Sequence, residues 1–79
     1  MNREEITSKE SAVFCDIFDD DTLVIDDTTT AADIEDWDSL EQINILVALE
    51  KVFSVKFSVG EVEGLKNVGE MIDLISAKL

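Results

Sequence analysis

The chain has 79 residues and a mass of 8.8 kDa, with six Lys and Arg against nineteen Asp and Glu, a formal net charge of -13 and a pI near 4.1. Such a surface repels phosphates and anionic lipid headgroups, which excludes nucleic acid and the membrane surface as partners. Without a single His, imidazole bases, Ser-His-Asp and Cys-His catalysis and the usual zinc ligand sets are excluded too.

Hydrophobic residues are 46% of the chain, enough for a core, and the length fits one small domain over residues 1–79. The polar stretch Met1–Lys9 has no apolar region of the signal-peptide kind, and no apolar run approaches the roughly 18 residues of a membrane span. Cys15 is alone, so no internal disulfide forms. These features predict a cytoplasmic protein.

The first predicted helix runs from about Arg3 to Phe18, with Ile6, Val13, Phe14, Ile17 and Phe18 at helical spacing and Cys15 on the flank as a small packing residue. A long connection follows, from about Asp19 to Trp37, with Leu23 and Ile25 as anchors and a short turn within Thr28–Ile34. A connection this long in so small a chain usually carries function. Between Asp16 and Asp38 stand ten acids and no base. An EF-hand frame started at Asp19 fails, because Leu23 takes a ligand position, Val24 the glycine position and Thr30 the position of the bidentate Glu. The run therefore reads as a solvated loop, with weak, nonspecific divalent-cation binding left open.

The second helix opens at Asp38, which forms a capping box with Glu41, and runs to about Phe53, apolar nearly all round. Val55, Phe57 and Val59 alternate within Val52–Val59, a weak strand signal with no partner run. A short segment, Gly60–Leu65, precedes a last helix that starts after Asn67, with Glu70 completing a second capping box and Val68, Met71, Ile72, Leu74 and Ile75 as its apolar face. The reading is an all-α fold of three longer helices and one short, with a long loop between the first and second.

Ser39 lies in the first turn of the second helix, between a capping acid and an apolar residue. A hydroxyl there is exposed, and a phosphodiester on it would sit beside free backbone N–H groups at the positive end of the helix dipole. Ser is also ordinary in a first turn, so position alone leaves a purely structural role open. Trp37, just before it, either packs beneath the loop or covers an attached group or a partner.

Trp37-Asp38-Ser39-Leu40, followed by Glu41-Gln42-Ile43, resembles the Asp-Ser-Leu attachment motif of acyl carrier proteins. The length, the acidity, the helix ending in Val52-Phe53, the acidic segment Glu61-Val62-Glu63 and the closing helix resemble that family in order and spacing, over about Glu5 to Ala77. The resemblance implies a small four-helix bundle that is no enzyme. A separate phosphopantetheinyl transferase would esterify Ser39, flanked by Asp38 and Leu40, with 4'-phosphopantetheine, whose thiol carries an acyl or aminoacyl group as a thioester. Further implied partners are a loading ligase and downstream biosynthetic enzymes. Leu40, Ile43 and Val47, with Glu41, Asn44 and Glu50, would meet them. Ile45, Leu46, Leu49 and Phe53 would face inward with Val62, Leu65, Met71 and Ile75, where an acyl chain is sheltered.

The chain departs from the fatty-acid carriers of that family in having no Gly near the motif, Asn44 where an acid is usual, and Lys51 after Glu50. These departures suggest a dedicated carrier of a specialised pathway, with amino-acid carriers such as the D-alanyl carrier proteins also similar. A monomer is expected from the short apolar stripe and the high charge. The alternative is a non-enzymatic acidic interaction module indifferent to Ser39; a hydrolase using Ser39 lacks a base to activate it.

Overall fold

Each helix starts where a short polar side chain accepts a backbone N–H that the first turn leaves free. The computed structural model describes all 79 residues and contains α1 (Arg3–Ile17), α2 (Ser39–Phe53), α3 (Val59–Glu63) and α4 (Val68–Lys78), with a 3-10 turn at Ala31–Asp33. The caps are Asn2, Asp38, Ser58 and Asn67, which accept from the N–H groups of Glu5, Glu41, Glu61 and Glu70 respectively. No strand forms. The alternating run Val52–Val59 is divided between the end of α2, a connection and the first residue of α3. Without a neighbouring run to pair with, its backbone groups are better used in helices. Ser54, left-handed at φ 55°, ends α2, and Glu50 accepts the Phe57 N–H at 2.8 Å, fastening the connection back onto the helix.

The core is built on α1, which packs against both α2 and α4. Ile6, Val13 and Phe14 from α1 meet Ile45, Leu49 and Phe53 from α2 and Val68, Met71, Ile72 and Ile75 from α4. The long connection adds Ile25, Ile34 and Trp37. One polar residue interrupts the α1 stripe: Glu10 lies one turn from Ile6 and from Phe14, is fully buried, and neither carboxyl oxygen has a hydrogen-bond partner.

The acidic connection is ordered by its own side chains. Asp20 accepts from the N–H and hydroxyl of Thr22, and Asp26 does the same from Thr28. These bonds hold both carboxyls below the usual range. A capping box between Thr30 and Asp33 forms the expected short turn. Two backbone bonds join the connection to the start of α4: Val68 N–H to Thr29 C=O at 2.9 Å and Gly69 N–H to Asp27 C=O at 3.0 Å. Arg3 then clasps three parts of the chain, reaching Asp27 of the connection and Asp73 and the Gly69 carbonyl of α4.

Candidate functional site

Ser39 is the first residue of α2, exposed at the helix N-terminus. The Asp38 carboxylate beside it is turned to the Glu41 N–H, at 2.9 Å, and so serves the helix rather than the hydroxyl. With no side-chain base aimed at it, the hydroxyl is a poor nucleophile by its own means but open to chemistry brought by another protein.

Trp37 fixes where this helix end stands. It is buried, meets the Phe14 ring edge to face at 5.1 Å and 86°, and donates its Nε1–H to Gln42 Oε1 at 2.6 Å. Trp37 packs beneath the loop, one of the two roles expected for it, and it also lines the cleft beside Ser39. It pins the first turn of α2 to α1, and its buried N–H has the partner that burial requires.

A cleft of about 610 Å³ opens beside Ser39, with Trp37, Ile43, Val62, Leu65 and Met71 as apolar wall and Asp38, Glu63 and Lys66 among its polar residues. An extended thiol-bearing arm fits its character: phosphate at the helix N-terminus, and a less polar remainder against the apolar wall. Of the eight residues expected to shelter a carried chain, Val62, Leu65 and Met71 line this cleft. Ile45, Leu49, Phe53 and Ile75 face inward into the core, and Leu46 is half-buried outside the cleft. Ile43, expected only on the outer face, lines the mouth. The wall exists because α3 and residues 64–67 fold across the start of α2, a long-range placement that periodicity along one helix does not carry.

The outer face of α2 is open. Leu40, Ile43 and Val47 are 66%, 58% and 44% exposed, so they form a surface stripe and not core. Asn44 is exposed beside them and donates to Glu41 Oε1 at 2.8 Å, while Glu50 is half-buried and taken by the Phe57 N–H. The remaining titratable groups hold no metal cluster, and no helix is long and apolar enough to cross a membrane.

Comparison with known proteins agrees with this geometry. Residues 11–75 match the family model described as the phosphopantetheine attachment site. The chain is 34% identical over its whole length to an acyl carrier protein of Thermosynechococcus vestitus, covering 98% of that protein, and 32% identical to one of Petrotoga mobilis, covering 93% of it. Among solved structures it resembles the holo acyl carrier protein of Geobacter metallireducens, with a TM-score of 0.85 and 42% identity over 91% of this chain and 83% of that one.

Proposed function

Because this chain belongs to the acyl carrier protein family, whose cofactor is covalent 4'-phosphopantetheine, we propose that Ser39 is its attachment residue and that all 79 residues act as one carrier domain. The chain is a carrier and not an enzyme. Bound to it, the arm supplies a terminal thiol that holds an acyl group as a thioester. The observation that carries the assignment to Ser39 is its exposed hydroxyl at the start of α2, next to the cleft.

The protein's residues do the placing. Asp38 keeps the first turn of α2 formed, Trp37 holds that turn against α1, and the remaining first-turn N–H groups face a phosphodiester on Ser39. The Ser39 oxygen, losing its proton, would bond to the pantetheine-side phosphorus of coenzyme A as the pyrophosphate P–O bond breaks and adenosine 3',5'-bisphosphate leaves, a step for a separate transferase. Leu40, Ile43 and Val47 then offer an apolar contact near the loaded arm to the loading ligase and downstream enzymes. The charge pattern of α2, with neutral Asn44 and basic Lys51, supports a dedicated pathway with its own enzymes.

Incubation with coenzyme A and a broad-specificity phosphopantetheinyl transferase tests this reading. The wild type is expected to gain one arm by intact mass and Ser39→Ala none. A gain on Ser39→Ala, with its fold confirmed by circular dichroism, removes Ser39 from the role.

A further inference from the structure

The chain has six basic side chains, and its own acids occupy two of them: Arg3 pairs with Asp27 and Asp73, and Lys78 with Glu61. Among the four without an ion pair, Lys51 and Lys56 come together, exposed, at the C-terminal end of α2. They line one groove of about 480 Å³ with Val47, Glu50, Ser54 and Val55. The fold builds this pairing. Ser54 turns the chain at φ 55°, the Val55 N–H returns to the Glu50 carbonyl at 3.1 Å, and the Glu50 carboxylate accepts from Phe57 on the far side of Lys56. The nearest acid is thus half-buried and committed to holding the segment that presents Lys56, and Glu41 is committed to Asn44 near the other end of the helix.

Val47 belongs both to this groove and to the exposed stripe that begins at Leu40, so the apolar surface runs unbroken from the attachment end to the lysines. Two lysines against the single carboxylate of Glu50 give this groove a net positive lining on a strongly anionic molecule. Fields of exposed charges fade over about 8 Å at physiological salt, so a partner seated here responds to the charges that line the groove more than to those beyond that reach.

Building on the carrier reading of Ser39, we propose that Val47, Lys51 and Lys56 form a specificity-determining contact for a partner enzyme that presents carboxylates around an apolar centre. By helix rise that contact lies about 18 Å from Ser39. An enzyme with a basic rim at the same place meets two like charges and is rejected, which makes the pair a filter as well as an attachment.

Two synthetic amphipathic peptides with the same leucine stripe, one with Glu and one with Lys on the polar face, test this by titration into the isotope-labelled protein with amide shifts as readout. The Glu peptide is expected to shift Val47, Lys51, Val55 and Lys56, at least tenfold more weakly in Lys51→Glu/Lys56→Glu and to an intermediate extent in Lys51→Gln/Lys56→Gln. The Lys peptide is expected on the acidic connection. The inference is overturned if the Glu peptide shifts nothing at millimolar concentration, shifts another surface, or binds the variants equally well, and equally if the Lys peptide prefers the end of α2. Intact mass of the wild type after transferase treatment keeps the two readings apart: an unmodified protein removes the carrier reading, whereas a modified one with a misplaced Glu peptide removes only the docking contact.

Discussion

At the scale of single residues, Glu10 and Ser39 show opposite uses of a polar group in a small helical protein. Ser39 stays at the surface, where a hydroxyl costs nothing. Glu10 stands in the middle of the α1 core stripe with both oxygens unpartnered. An ionised carboxylate there would lose its hydration without compensation, so the neutral acid is favoured. Burial pushes its pKa from the ordinary 4.5 to about 8, with Arg3 opposing the rise and Asp27 adding to it. The unfolded chain releases this proton near 4.5 and the folded chain near 8, so the folded state binds the extra proton between those values. Stability from this source is complete below about pH 4.5 and is lost as pH rises to about 8. Glu10→Gln should match the wild type in melting temperature at pH 4.5. At pH 8 its melting temperature should be higher, with a stability gain of roughly 3 kcal/mol after allowing for relaxation around the charge. Thermal unfolding at pH 4.5, 6 and 8 checks this, and parallel curves for the two proteins would show that Glu10 ionises in the folded state without penalty. Ser39 was legible because capping chemistry is local and sits on a few consecutive residues. Glu10 was not, because a Glu inside an apolar repeat reads as a solvent-facing break until the neighbouring helices are placed around it.

At the scale of elements, the packing of α4 against the long connection rests on Gly69. A Cβ built there would lie 2.8 Å from the Asp27 carbonyl oxygen, a backbone atom held by the very hydrogen bond that docks the connection. Gly69→Ala should therefore destabilise by about 1–3 kcal/mol. Gly60→Ala, in α3 with nothing within 4 Å of its Cβ, should be neutral or stabilising by up to about 1 kcal/mol. Urea unfolding of the two variants beside the wild type measures the contrast, and equal effects would deny the close approach. The same elements show what the sequence carried. The starts of α2 and α4 were legible from the caps Asp38 and Asn67, but the two expected capping boxes do not close: Glu41 accepts from the Asn44 side chain and Glu70 from the Lys66 N–H. The short helix was expected at Gly60–Leu65 and runs Val59–Glu63, because the Ser58-Glu61 capping box decides its start. The strand signal in Val52–Val59 came from alternation alone, which has no meaning without a second strand. The inward side of α2 was legible, with Ile45, Leu49 and Phe53 buried, whereas the cleft that Val62, Leu65 and Met71 line beside Ser39 depends on how distant segments meet.

At the scale of the whole molecule, charge sets the conditions under which the fold is most stable. The net charge of -13 opposes compaction, with ten acids and no base between Asp16 and Asp38. The ion pairs of Arg3 and Lys78 are at the surface, where each contributes at most about 1 kcal/mol and is screened by the same salt that relieves the repulsion. Repulsion among many charges outweighs three exposed pairs, so the melting temperature should rise with added NaCl and with millimolar magnesium. Scanning calorimetry across salt concentration reads this directly, and a falling melting temperature would mean that the surface pairs dominate.

The same anionic surface, with one exposed hydroxyl at the start of its central helix, frames the carrier function, and the location of the arm tests it most directly. The protein is treated with coenzyme A and a phosphopantetheinyl transferase, digested, and its fragments sequenced by tandem mass spectrometry. The account predicts a single phosphopantetheine on Ser39, within the fragment that contains Trp37 and Gln42. An arm on Ser54, Ser58 or any other hydroxyl, or a folded protein left unmodified by both a broad-specificity and a pathway-specific transferase, would contradict it.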